Sequence, residues 1–304
     1  MKKINIVLIY KTAIFIAILT IAIVAMVPIN KNYNVNPWMG ELENKTIITE
    51  MAIPGTHDSG AMHSIFDVAG KCQDLSIKEQ LKIGIRFLDI RLQLVNDELV
   101  VVHSFVDQDL TFKSVLKDID SFLNDYTSEF IIMSIKEDNA SKNSKVEFDK
   151  KVVEELSKYE KIKLDNSLPK TLGEARGNVY ILNRFTSENV GIAAYSGWLD
   201  STSFYLNDLF VQDNYCVDSF EEKKEDIIKA FELDSNNTLL LNFTSCYLDN
   251  AFPPSYAGTI AKDVNKWLDK YLEENNVFGI VIIDFATEKL VRDIYMENNY
   301  EKNN

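Results

Sequence analysis

Ile53-Pro54-Gly55-Thr56-His57-Asp58-Ser59-Gly60 closes an apolar, β-prone run with a histidine and an aspartate. Two later stretches repeat the pattern, Gly84-Ile85-Arg86-Phe87-Leu88-Asp89-Ile90-Arg91 and Val101-Val102-His103-Ser104. Titratable groups placed just beyond strand ends are how a barrel of parallel strands builds an active site at one rim.

Strand-like runs recur around these stretches, with amphipathic segments between them. The expected strands are 46–53, 87–94, 99–102, 130–135, 179–182, 209–211, 239–242 and 279–283. Apolar residues three and four apart predict helices over 112–126, 146–159, 222–233 and 257–274. Strand–helix–strand repetition implies a parallel sheet with crossover helices. An α/β chain with this many units closes most naturally into a single TIM-like barrel, complete or incomplete. An open doubly wound sheet would bring a glycine-rich phosphate turn after its first strand, and none is present.

The exits of the expected strands carry a ring of polar groups: His57 and Asp58, Asp89 and Arg91, His103, Lys136, Arg184, Asp213 and Tyr215, and Asp284. Two histidines on separate strands suit general acid–base catalysis, because imidazole titrates near neutrality and one ring can hold a proton the other lacks. Each needs a partner to fix its tautomer, and Asp58, Asp89 and Asp284 stand at matching depth. Arg91 lies two residues after Asp89, on the same side of an extended strand, where a guanidinium can grip a phosphate oxygen. His63 lacks a strand to position it and reads as a surface residue. No His-x-His or His-Glu-x-x-His spacing offers a zinc site, and Arg91 in the mouth would repel calcium, so no metal or other cofactor is expected.

The formal net charge of −14 on 304 residues excludes a phosphate-tracking nucleic-acid binder. Met1-Lys2-Lys3 and an almost unbroken apolar run from Ile14 to Val27, which Lys11 separates from the apolar Ile4 to Tyr10, predict a signal peptide or an uncleaved membrane anchor over 1–29, ahead of one catalytic barrel over 30–304. The protein is then secreted, or tethered to the outer face of the membrane. Cys72, Cys216 and Cys246 are too few and too scattered for a disulfide framework and read as buried fillers, with at most one incidental bridge.

At the residues quoted above, with the apolar run ending in Ile283-Asp284-Phe285, the chain resembles the bacterial phosphatidylinositol-specific phospholipase C family. The resemblance implies a distorted TIM barrel that cleaves phosphatidylinositol without a metal, giving diacylglycerol and inositol 1,2-cyclic phosphate, with slow hydrolysis of the cyclic product. It implies that His57, oriented by Asp284, is the general base and His103, beside Asp58, the general acid. Arg91, supported by Asp89, would bind the non-bridging phosphate oxygens, while Lys136, Arg184, Asp213 and Tyr215 would line the headgroup pocket. Membrane phosphatidylinositol is the implied partner, touched transiently by a monomer, with glycosylphosphatidylinositol anchors as a second candidate substrate. Ile65, Phe66 and Phe252 are candidate membrane-rim side chains, with core packing an equal reading. The alternatives are a metal-dependent glycerophosphodiester phosphodiesterase, which would need a carboxylate cluster after the first strand, and an inactive barrel that only binds inositol lipids.

Overall fold

A computed structural model of the chain describes residues 33–64, 70–187, 190–234, 237–249 and 257–299. The expected leader and the rim candidates Ile65, Phe66 and Phe252 lie outside the described residues. Among the described residues, no helix is long and apolar enough to cross a membrane.

In chain order the strands are β1 (Ala52–Thr56), β2 (Phe87–Val95), β3 (Glu98–His103), β4 (Val106–Thr111), β5 (Ile131–Glu137), β6 (Ile162–Lys163) and β7 (Val179–Arg184). They continue with β8 (Ile192–Ala193), β9 (Ser203–Leu206), β10 (Leu209–Gln212), β11 (Cys216–Val217), β12 (Leu239–Phe243), β13 (Tyr247–Leu248) and β14 (Gly279–Ile283). One sheet runs in the order β6-β7-β5-β2-β1-β14-β12-β10-β9. From β7 to β10 every neighbouring pair on this path is parallel. Beyond β10 the path ends on β9, which is antiparallel, and among the described residues no pairing joins β9 to β6. The barrel is distorted and open at that seam, and β1, β5, β12 and β14 are buried apolar runs as a doubly covered parallel sheet demands.

The helices are α1 (Ile77–Ile83), α2 (Phe112–Asp125), α3 (Phe148–Leu156), α4 (Leu172–Ala175), α5 (Phe220–Phe231), α6 (Ala257–Glu274) and α7 (Glu288–Met296). Their apolar faces follow the expected spacing. In α2, Phe112, Val115, Leu116, Ile119, Phe122 and Leu123 are all buried. Helix α1 is fixed by a capping box between Ser76 and Glu79, and it stops at Gly84, whose φ of 117° only glycine adopts without strain.

Two expectations need correction. The first strand is not 46–53: Ile48–Glu50 is a 3-10 turn, and β1 instead runs through Pro54-Gly55 to Thr56. Proline is tolerated because its missing N–H would face β2 ahead of the first β1–β2 ladder pair, at Gly55 and Phe87, while its carbonyl still accepts from Arg86 N. Gly55 is needed for contact, since a Cβ there would lie 2.8 Å from the Phe87 Cβ. The run 99–102 is not a barrel strand either. It is the core of β3, antiparallel to β2, so β2–β3–β4 is a hairpin ribbon rising from the rim.

Arg86, inside the second motif, serves the fold. It is wholly buried against Glu129 (2.7 Å) and stacks over the Phe122 ring. Glu129→Gln leaves that guanidinium unpaired and lowers unfolding free energy by about 3–5 kcal/mol. A urea midpoint equal to wild type would contradict this.

Candidate active site

The site forms where the parallel strands run out. His57 and Asp58 follow β1, Asp284 follows β14, and Asp89 and Arg91 share one face near the middle of β2. His103 arrives differently from the way its sequence suggests. Strand β2 extends past the rim, β3 folds back along it with Leu92 opposite Val101, and the end of β3 thereby descends to the level of Arg91.

These six side chains form one contact network centred on Asp58 Oδ2. That oxygen lies 3.4 Å from His57 Nε2, 3.4 Å from His103 Nε2 and 3.1 Å from Arg91 Nη1. His57 Nδ1 lies 2.9 Å from Asp284 Oδ1, while its Nε2 faces Arg91 Nη2 at 2.8 Å. A guanidinium can only donate, so Nε2 is the accepting nitrogen and Nδ1–H donates to Asp284. His103 has the opposite surroundings: Nδ1 faces the Gly70 carbonyl at 3.0 Å and Nε2 faces a carboxylate. The two imidazoles, 14% and 24% exposed, thus meet across one carboxylate oxygen.

Burial opposes charge on His57, but Asp284 and Asp58 outweigh it against Arg91 and raise its proton affinity above that of ordinary imidazole. Burial likewise opposes ionisation of Asp89, yet Arg91 and Arg184 hold its carboxyl well below the usual range. Asp89 also accepts from the Asp58 amide and the Ser134 hydroxyl, which locks it as a fixed anion under Arg91. Asp58 itself has a φ of 42°, a left-handed conformation that turns its side chain back between the two rings.

Of the expected headgroup residues, Lys136 and Arg184 stand beside Arg91: register pairs Arg91 with Lys136 and Lys136 with Arg184 across β2, β5 and β7. Three cations in a row at the rim of an acidic protein make a local anion-attracting strip. Arg184 reaches Asp89 (3.5 Å), and its guanidinium lies over the Trp198 ring at 3.6 Å. Trp198 Nε1 in turn donates to Asp213 at 3.0 Å, linking that aspartate to the strip. Tyr215 is engaged with Asp200 and the Tyr247 ring instead.

Sequence reading missed Trp198, which no strand exit announces, and Gln73. The Gln73 amide donates to the His57 and Ile283 carbonyls (2.8 and 3.0 Å) and accepts from Ala286 N, stapling the loops that carry His57 and Asp284. The three cysteines are free, and Cys72 is fully buried beneath the histidines. His63 pairs with Asp109 at the surface, as expected.

Fold and site together define an open α/β barrel with a paired-imidazole centre. The family model for phosphatidylinositol-specific phospholipase C, X domain, matches residues 51–184. The 1-phosphatidylinositol phosphodiesterase of Staphylococcus aureus strain Newman is 30% identical over 280 residues, covering 82% of this chain and 88% of its own. Its counterpart in Listeria monocytogenes is 25% identical over 292 residues, covering 90% and 88%. Among solved structures, a double mutant of the S. aureus phosphatidylinositol-specific phospholipase C superposes with a TM-score of 0.76 at 26% identity, covering 87% of this chain and 97% of that one. The chain belongs to the phosphatidylinositol-specific phospholipase C family.

Proposed function

We propose that the protein cleaves phosphatidylinositol by intramolecular attack of the inositol 2-hydroxyl on phosphorus, releasing diacylglycerol and the 1,2-cyclic phosphate. The observation that carries this reading is the meeting of His57, His103 and Arg91 on Asp58 Oδ2, which puts a base, an acid and a fixed cation around a space of one phosphorus. The His57 Nε2 lone pair takes the 2-hydroxyl proton, and Asp284 stabilises the imidazolium that results. His103 Nε2–H protonates the departing glycerol oxygen, with Asp58 aiming it. Arg91, seated on Asp89, turns its N–H groups onto the non-bridging oxygens as their charge grows. In the slower second step, the rings exchange roles and water opens the cyclic ester.

Lys136, Arg184 and Asp213 supply the charges that would bridge inositol hydroxyls, with the Trp198 ring as a wall. The sequence of the first 29 residues supports export, by cleavage or as a tether. Phe105, 82% exposed two residues beyond His103, is an apolar tip beside the site suited to a lipid surface. Phe105→Ala is expected to lower turnover on vesicles while leaving a water-soluble inositol phosphodiester unaffected; equal loss on both substrates would contradict a surface role.

The pH profile offers a check on His57. Because its folded proton affinity is raised, the acid limb of kcat/KM lies above the ordinary imidazole value. Asp284→Asn removes a raising charge and moves that limb to lower pH, besides slowing turnover. A limb unmoved in Asp284→Asn would contradict the pairing. The function as a whole is tested by incubating the purified protein, in chelator, with phosphatidylinositol and phosphatidylcholine vesicles. Diacylglycerol release from the first alone is expected; release from neither, or only after a divalent metal is added, would overturn the reading.

A further inference from the structure

We propose that Cys72 makes this centre a binding site for one soft divalent cation, of the zinc or cadmium kind, held by the Cys72 sulfur with His57 and Asp284, and that occupancy switches the enzyme off. The inhibitory part rests on the catalytic reading above; the binding part does not.

Cys72 is held rigidly at the floor of the site. Its amide donates to the Ala61 carbonyl and its own carbonyl accepts from Phe285 N, so it is pinned between the loop after β1 and the loop after β14. Donor atoms of His57, Cys72 and Asp284 all lie within 4.8 Å of one another, as do those of Asp58, Cys72 and His103. Both sets share the one thiol, whose sulfur is 3.9 Å from His103 Nδ1. Asp284 is 2% exposed, and its Oδ2 is buried without a hydrogen-bond partner. A buried carboxylate oxygen left unpaired is costly unless something meets it.

Of the two sets, that of His57 and Asp284 is favoured. Asp58 Oδ2 is already in the field of Arg91 Nη1 at 3.1 Å, which opposes a cation there, whereas on the other side the metal takes His57 Nδ1, the ring nitrogen that faces Asp284 and not Arg91, and Asp284 Oδ2 takes part in no ion pair among the described residues. Zinc bonds of about 2.0–2.3 Å in tetrahedral geometry need donors about 3.5 Å apart, within reach of such a cluster after small side-chain turns. One sulfur, one nitrogen and one carboxylate oxygen leave the fourth position open toward the mouth.

Ligand type also fixes which metals enter. Thiolate and imidazole select soft or borderline ions, while calcium and magnesium want oxygen cages and would meet Arg91 uncompensated. On binding, the Cys72 S–H bond breaks, its proton leaves to solvent and an S–metal bond forms; the His57 Nδ1 proton moves to Nε2, freeing the Nδ1 lone pair for the metal while Arg91 Nη2 turns off Nε2, with no change of oxidation state. Neutral imidazole has one lone pair; once the metal holds it, His57 cannot accept the proton of a substrate hydroxyl.

The test uses the whole purified protein. Cadmium is titrated while the sulfur-to-cadmium charge-transfer absorption is read, and turnover is measured with zinc, calcium or magnesium added. Wild type is expected to bind one more cadmium equivalent than Cys72→Ala, to be inhibited by zinc and to recover in chelator. Cys72→Ala should keep the basal rate and need at least tenfold more zinc for half inhibition, and calcium and magnesium should do nothing to either. Cys72→Ser, whose hydroxyl is a poor cadmium ligand, serves if the alanine variant does not fold. The same cadmium band in wild type and in the Cys72 variants, or zinc inhibition unaltered by them, would overturn the proposal. The absorption signal needs no substrate, so it stands or falls apart from the cleavage reading.

Discussion

His57→Ala and His103→Ala each lower turnover on phosphatidylinositol by about 10²–10⁴-fold, the usual cost of losing a positioned base or acid. The two losses separate when the leaving group is changed. With an inositol phosphate ester whose leaving group departs without a proton, His103→Ala regains most of its rate, because the acid has nothing left to do. His57→Ala does not, because the 2-hydroxyl still needs a base. The double variant is expected to be little slower than either single one on the natural substrate, since rings joined through Asp58 Oδ2 act as a unit. Equal recovery of both variants on the activated ester would contradict the assignment of roles, and a near-normal rate for either on phosphatidylinositol would remove that ring from the mechanism.

Arg91 comes next in expected effect. Arg91→Ala and Arg91→Lys are expected to lose about 10²–10³-fold in kcat in the presence of chelator, the range for removing a donor aimed at developing oxyanion charge. Lysine keeps the charge but not the planar fork that can hold Asp58, Asp89 and a phosphate oxygen together, so it should not rescue. Arg91→Asp should abolish metal-free turnover altogether. Asp89 is completely buried, and without Arg91 it keeps only Arg184, Ser134 and the Asp58 amide. Circular dichroism must therefore accompany the rates, to separate lost chemistry from lost structure. A folded Arg91→Asp protein with full activity in chelator would refute the guanidinium's role.

The site was legible largely because barrel architecture turns sequence order into spatial convergence. His57, Asp58 and Asp284 stand directly after parallel strands that are hydrogen-bonded to each other, β1 and β14, so an exit-by-exit reading finds them. His103 reaches the cluster by a route that a strand-exit reading does not anticipate. An antiparallel hairpin strand delivers it, and alternation of apolar residues in 99–102 carries no mark of strand direction. The limits of β1 differ from the expected ones because Pro54-Gly55 reads as a stop, although proline pairs with β14 one residue ahead of the β1–β2 ladder and glycine answers a contact with Phe87 on the next strand. Such contacts are long-range and leave no local pattern. Helix α1, seven residues long, is too short for its periodicity to stand out.

Outside the imidazole centre, the sequence was a weaker guide. Lys136 and Arg184 fall beside Arg91 by strand register, which the spacing of strands hinted at but could not fix. Asp213 is hydrogen-bonded to Trp198, on a segment with no strand of its own, and Tyr215 turns to Asp200. Cys72 is the sharpest case. Read alone it is a buried filler, and only the folded chain shows it equidistant in role between two histidine–carboxylate pairs.

Phosphorus NMR of the products, followed from the first turnover on phosphatidylinositol in chelator, tests the account most directly. The account predicts inositol 1,2-cyclic phosphate as the first phosphorus-containing product, with inositol 1-phosphate growing only later and at its expense. Inositol 1-phosphate appearing first, with no cyclic ester before it, would mean that water rather than the 2-hydroxyl attacks phosphorus, and would contradict it.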